Sequence, residues 1–175
     1  ENEIAQSVAH DHHHLSKYWM HVARLDVNHT KMSKSLGNTV LVKDLIEQVK
    51  PKAFRLLILG HHYRQPINYT EELLNEYVKQ YEKIEQTLKK TALKLRTLSN
   101  VSYDKDIISN FENILNDDFN TPNVITLIQD LIKQLNKETE LSALEIKYHT
   151  LSYILDILGV MPEYRLTEEI IKTFD

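Results

Sequence analysis

The sequence predicts a mostly α-helical chain ending in a helical bundle. Glycine and proline are scarce, 3 and 4 in 175 residues, which leaves few turn sites and favours long helices over an all-β fold. Hydrophobic residues make up 42% and charged residues 26%, enough apolar content for a packed core and too much for a disordered chain. Beyond residue 70, apolar side chains recur at helical spacing almost to the end of the chain.

Taken in order, residues 2–9 read as a helix, with Ile4 and Val8 one turn apart on one face. This helix begins without a capping residue, as a cut end would. Tyr18 to Val27 is rich in aromatic and β-branched residues whose alternation predicts a strand. Asn28-His29-Thr30 breaks it before a polar stretch, Lys31 to Asn38. Val40-Leu41-Val42 reads as a short strand, followed by a helix from Lys43 to Val49. Pro51 suits the first turn of the next helix, where its missing N–H is not needed, and Pro66 stops that run ahead of an extended Ile67-Asn68-Tyr69.

Thr70 is placed to cap a helix reaching about Leu98, with Leu74, Tyr81, Ile84 and Leu88 on its apolar face. Helices over about 104–117 and 122–137 follow, the second opened by Thr121 as cap and Pro122 at its first position. The last begins at Ser142, where Ser142 to Glu145 fits a capping box, and closes at Gly159.

Several function classes are disfavoured. No apolar run approaches the 18 or so residues of a membrane span, so no membrane role is expected. The acidic start, Glu1-Asn2-Glu3, is unlike a secretory signal. The absence of cysteine suits a reducing compartment, and a cytoplasmic location is expected. The net charge of −4 conceals an asymmetry: residues 17–70 hold nine Lys/Arg against three acids, while residues 71–175 hold 12 against 19. A basic segment beside an acidic one fits a polyanion site on a solvated scaffold, and equally a soluble surface with chance clustering.

The stretch with most chemistry is Lys31-Met32-Ser33-Lys34-Ser35-Leu36-Gly37-Asn38. Two lysines three apart, flanked by hydroxyls and closed by Gly-Asn, make a compact cationic loop. A lysine ammonium is a point charge on a flexible stem, able to follow moving phosphate oxygens. Ser33 and Ser35 add hydroxyl donors, and Gly37 permits a tight turn. On these residues alone the loop is a candidate phosphate site or an ordinary polar turn.

Lys31 to Ser35 spells KMSKS, the signature loop of class I aminoacyl-tRNA synthetases, at all five positions. With it, in order, stand Glu1 to Ser7, Tyr18-Trp19-Met20-His21, His62-Tyr63-Arg64, Pro66-Ile67-Asn68-Tyr69 and Asp117-Asp118-Phe119-Asn120-Thr121-Pro122. Together they resemble the cysteinyl-tRNA synthetases over most of residues 1–122, and more loosely to about Gly159.

The resemblance implies the tail of a Rossmann-type nucleotide-binding domain with one strand (1–38), a small mixed α/β stem-contact region (39–70), an antiparallel helical bundle of the DALR kind (71–160), and the start of a linker (161–175). It implies an enzyme that makes cysteinyl-adenylate from cysteine and ATP, with Mg2+, and passes cysteine to tRNA(Cys). Lys34 and Lys31 would be its catalytic residues, and Lys31, Met32, Ser33, Lys34 and Ser35 its ATP-binding loop. Lys43, Lys52, Arg55 and Arg64 would contact tRNA, where Lys/Arg supply affinity without reading sequence. Asp117 to Pro122 is expected to be structural.

The family's zinc, held by two cysteines, a histidine and a glutamate, would take Glu3 as its glutamate. The other ligands are not among these 175 residues, so zinc is expected only in the full-length enzyme. His10 and His12 to His14 form a histidine-rich run, expected to be a solvated loop. The family's HIGH sequence does not occur here either; His61-His62 after Gly60 does not reproduce it. The expectation is an internal piece, inactive alone. Two alternatives stay open: a ligase joining activated cysteine to an amino-sugar acceptor, and a non-catalytic tRNA-binding module.

Overall fold

The computed structural model describes residues 2–11, 16–95 and 101–163. A helix, α1 (Asn2–Asp11), opens the chain. Strands β1 (Leu25–Val27) and β2 (Thr30–Lys31) form a hairpin, followed by a single 3-10 turn over Lys34–Leu36. Helices α2 (Val42–Gln48) and α3 (Pro51–Leu59) lead to strand β3 (Ile67–Tyr69). Four longer helices complete the chain: α4 (Glu71–Leu95), α5 (Lys105–Asn116), α6 (Thr121–Lys137) and α7 (Leu141–Ile157).

The sheet has the order β2-β1-β3. β1 pairs antiparallel with β2, Asp26 opposite Lys31, and parallel with β3, Asp26 opposite Asn68. The hairpin turn is Asn28-His29, both left-handed at φ 48° and 61°, the backbone that matches the twist of a two-residue hairpin. Asn28 N–H donates to Tyr69 O at 3.1 Å, extending the parallel pairing into the turn.

Two apolar clusters sit on either side of α3. The smaller joins Val27, Leu45, Leu57, Tyr69 and Leu74, with Met32 and Val40 at its edge, and so fastens the sheet and α2 to α3 and the start of α4. The larger fills the bundle, where Leu88, Val124, Leu131, Leu151, Ile154 and Leu155 are fully buried. α3 contributes Leu57 to the first cluster and Ala53 and Leu56 to the second, so one helix mortars the sheet to the bundle.

Four local expectations are corrected. Only Leu25–Val27 of the Tyr18–Val27 stretch is strand: Tyr18 and Val22 are 91% and 71% exposed, and the first cross-chain bond in the stretch is Ala23 N–H to Tyr63 O, 2.8 Å. Strand propensity needs a partner to pack against, and none lies beside residues 18–22 among the described residues. Val40-Leu41-Val42 is not a strand either; Leu41 is the extended cap whose carbonyl accepts from Asp44 and Leu45 N–H, and Val42 is already helical.

The cap of α6 is Asn120 rather than Thr121, its side chain accepting from Asn123 N–H. The cap of α7 is Glu140: its carboxylate accepts from Ser142 N–H (3.1 Å) and Ala143 N–H (2.6 Å), and Ser142 Oγ donates to it at 2.5 Å. Ser142 thus steadies the capping residue instead of serving as one. Thr70 does accept from Leu73 N–H at 3.1 Å, and α4 ends at Leu95; residues 96–98 of the expected helix lie outside the described residues. Gly159 closes α7 at φ +67°, its N–H on Asp156 O and Val160 N–H on Leu155 O, both at 2.9 Å.

The start of α5 is tied to α7 by one hydroxyl. Thr150, fully buried, donates to Ile146 O (2.7 Å) and accepts from Asp104 N–H (2.9 Å). Thr150→Val keeps the shape and leaves that N–H without an acceptor, so it is expected to lower unfolding free energy by about 1–3 kcal/mol. A urea midpoint unchanged from the parent chain would contradict this role.

Candidate active site

The KMSKS loop hangs from the end of β2. Lys31 is the last β2 residue, paired to Asp26, with an exposed side chain. Met32 is half-buried and packs on the smaller cluster, which anchors the loop by its second residue. Ser33 organises the turn: its Oγ accepts from Leu36 N–H at 3.2 Å and lies 2.9 Å from Ser35 Oγ. Gly37 is left-handed at φ +65°, with open space where a Cβ would stand, so its requirement is the backbone angle alone. The Lys34 backbone begins the 3-10 turn; its side chain lies outside what the structure describes.

Asn38 then folds back over the loop. Its amide donates to Lys31 O at 3.2 Å and its carbonyl oxygen accepts from Ser33 N–H at 2.9 Å. Below the loop, Asn68 does the same for the hairpin turn, accepting from His29 N–H at 2.6 Å with its amide 3.2 Å from His29 Nε2.

The four expected tRNA-contacting cations separate into distinct surroundings. Lys43 is exposed on α2 and makes no ion pair among the described residues. Lys52 Nζ donates to Met161 O and Glu163 Oε1, both at 2.7 Å, and Arg55 Nε donates to Leu158 O at 2.7 Å. These two place positive charge at the C-terminal end of α7, where free carbonyls favour it. Arg55 also lies against Gly159, where an added Cβ would stand 2.9 Å from its Cζ.

Arg64 belongs to a clamp. Its Nε and Nη2 donate to Asp118 Oδ2 and Oδ1 at 2.7 and 3.1 Å, and Tyr63 Oη donates to Oδ1 at 2.5 Å. His62 Nε2 lies 3.1 Å from Asp118 O, and the Arg64 guanidinium lies 5.0 Å over the Tyr63 ring. Asp118 and Phe119 are both left-handed, φ 51° and 54°, an arrangement non-glycine residues rarely adopt. The clamp holds that turn and ties the loop after α3 to the α5–α6 connection. Because Tyr63 O also accepts from Ala23 N–H, it reaches the segment leading into β1.

Glu3 is exposed on α1, and His10 lies in the last turn of that helix rather than in the expected loop, because the helix runs on to Asp11; His12 to His14 lie outside the described residues. Among the described residues no group of three or more His, Cys, Asp or Glu side chains is placed to hold a metal. A zinc site needs about four ligands, so the residues here do not fit one by themselves. A cavity of about 220 Å³ between α3, α4 and α6, lined by Leu56, Ile84, Ile128 and Ile132, contains none of the loop residues. No helix of the described residues is long and apolar enough to cross a membrane.

Residues 1–79 match the model of the class I (C) tRNA synthetase catalytic domain, and residues 110–162 match the DALR domain. Over these two stretches the chain matches the catalytic and DALR domains of the class I cysteinyl-tRNA synthetases. It is 48% identical over 164 residues to the cysteine–tRNA ligase of Acholeplasma laidlawii (strain PG-8A), covering 93% of this chain and 37% of that protein. It is 41% identical over 177 residues to the cysteine–tRNA ligase of Onion yellows phytoplasma (strain OY-M), covering 99% of this chain and 40% of that one. The chain thus spans about two-fifths of the length of these relatives.

A crystal structure of a leucyl-tRNA synthetase of Agrobacterium radiobacter K84, in ternary complex with tRNA and LeuAMS, superposes with a TM-score of 0.64 at 16% identity. That match covers 86% of this chain and 24% of the other, and it shows the shared fold. Asn38, Asn68 and Asp118 stand in segments singled out in the sequence, but the sequence does not predict the bonds they make; Asp118 has the structural role expected of Asp117 to Pro122. Asn38 and Asp118 are short polar side chains at turns, where such residues bond backbone groups or a cation, whereas Asn68 lies mid-strand in β3 and reaches the hairpin turn beside it.

Asp118 titrates as the clamp predicts. Hydrogen bonds from Arg64, then from Tyr63, hold its carboxyl down to about 2 from an ordinary 3.8, and the bond to Asp118 raises the Tyr63 phenol. A depressed carboxyl stabilises the fold above its ordinary value and loses that contribution as pH falls through its folded value. The clamp is therefore expected to persist at pH 3.8 and release near 2, read from the Arg64 Nε–H resonance during acid titration. Release centred near 3.8 would contradict it.

Proposed function

We propose that the chain is the part of a cysteine–tRNA ligase that grips the nucleotide phosphates and docks tRNA. The carrying observation is the complete KMSKS sequence on a loop anchored at both ends, by β2 and Met32 before it and by Asn38 after it. In the reaction this reading assigns, a cysteine carboxylate oxygen attacks the α-phosphorus of ATP, the bond to the bridging oxygen breaks, and pyrophosphate leaves with Mg2+. The terminal ribose hydroxyl of tRNA(Cys) then attacks the activated carbonyl, loses its proton, and AMP departs.

Charge grows on the leaving pyrophosphate, and donors already aimed at it stabilise that growth without reorganising. Lys34 and Lys31 are the catalytic cations for this step, with Ser33 and Ser35 shaping the turn and Met32 seating it. The likeness to cysteine–tRNA ligases along nearly the whole chain supports the substrates cysteine and tRNA(Cys), and the DALR match supports the RNA partner.

In the RNA-binding reading, exposed Lys43 and the outward face of Arg64 offer backbone contacts, while Lys52 and Arg55 mainly brace α3 against α7. The reading divides the chain into a nucleotide-domain tail (1–38), a stem-contact region (39–70), a tRNA-binding bundle (71–160) and the start of a linker (161–175). It takes the enzyme as cytoplasmic, and assigns zinc to the full-length protein with Glu3 as one ligand.

Lys34→Ala in the whole gene product is expected to cut cysteine-dependent pyrophosphate exchange by about 100-fold or more, the scale of losing one transition-state donor, while cysteine KM stays within about twofold. The 175-residue chain alone is expected to show no exchange. Full exchange by the Lys34 variant would overturn the assignment.

A further inference from the structure

We propose that Asn38 is a positioning residue for nucleotide activation: its side-chain amide holds the KMSKS loop closed on itself, so that the lysines meet the phosphates in one geometry. The inference rests on reading that loop as the ATP-phosphate grip. Its basis is the pair of bonds one amide makes across the loop. The nitrogen donates to the carbonyl of Lys31, seven residues back, and the oxygen accepts from the amide of Ser33, five residues back. Gly37, left-handed at φ +65°, reverses the chain immediately before Asn38.

The two bonded groups differ in what holds them. Lys31 belongs to β2 and is paired across to Asp26, so its backbone is fixed by the sheet. Ser33 begins the turn that carries Lys34, and its other bonds, to Leu36 N–H and Ser35 Oγ, stay within that turn. Asn38 is therefore the polar tie between the turn and the sheet, with Met32 the apolar one. Without it the 3-10 segment keeps its internal bonds and moves as a unit, carrying Lys34 with it. Misplacing a catalytic group by about an ångström costs up to about 100-fold in rate, although the group is still present.

The side-chain amide carries its donor and its acceptor on two separate atoms of one short stem, so it can bond both groups at once. A carboxylate lacks the donor for Lys31 O and alanine lacks both. The expected signature is loss in turnover rather than in binding, because the tie acts on charge that grows in the transition state.

The test uses the whole gene product with three variants, Asn38→Ala, Asn38→Gln and Lys34→Ala, and reads pyrophosphate-exchange kcat, cysteine KM and amide exchange at Ser33. Asn38→Ala is expected to lower kcat about tenfold or more, leave cysteine KM and the melting temperature unchanged, and release the Ser33 amide. Asn38→Gln, with both amide functions on a longer stem, is expected to recover part of kcat. Ser33 protection unchanged in Asn38→Ala, or kcat unchanged while Ser33 is released, overturns the proposal; so does Asn38→Gln no better than Asn38→Ala. If Lys34→Ala lowers kcat and Asn38→Ala does not, the positioning role alone falls. If neither lowers it, the phosphate-loop reading itself falls.

Discussion

The structure depends on the parallel pairing of β1 with β3. Three residues on each side, Leu25 to Val27 against Ile67 to Tyr69, fix where the hairpin stands and hence where its loop begins. Such short strands are marginal alone, so the pairing rests on the apolar cluster beneath it, where Val27 and Tyr69 meet Leu45, Leu57 and Leu74. Asn68 adds the polar bolt, joining the strand to His29 in the turn. The loop is thereby paired to the sheet at its root, while its tip is held by few bonds.

Among the described residues, several different interactions bind the bundle to that platform, the ion pair between Lys50 at the cap of α3 and Glu85 of α4 among them. α3 shares its faces between both apolar clusters. Lys52 and Arg55 reach the backbone after α7. The Asp118 clamp joins the α5–α6 turn to the loop before β3. Two successive left-handed residues without glycine need outside support, and the clamp supplies it at the point where the bundle and the sheet side meet. The α5–α6 turn and the KMSKS loop are thereby built on one frame.

The long helices were legible because apolar spacing is a local signal: Leu74, Tyr81, Ile84 and Leu88 are buried as their period predicts. The strands were legible only in part. Tyr18 to Val22 has strand-like composition but no partner among the described residues, whereas Ile67 to Tyr69 pairs with a segment some forty residues away. The loop's identity was carried by its five letters. Its closure was not, because the reach of Asn38 depends on the reversal at Gly37. The cations looked equivalent in sequence, and the partners of Lys52 and Arg55 lie more than a hundred residues onward, beyond any local pattern.

The central claim is that the KMSKS loop inherits its position from the β1–β3 platform. Amide exchange in an Asn68→Ala chain tests it most directly, comparing the hairpin turn at Asn28 and His29 with the loop at Ser33 and Leu36. The account predicts faster exchange at all four, the loop loosening with its root. Faster exchange at Asn28 and His29 with Ser33 and Leu36 unchanged would show a loop held independently of the sheet, and would contradict it.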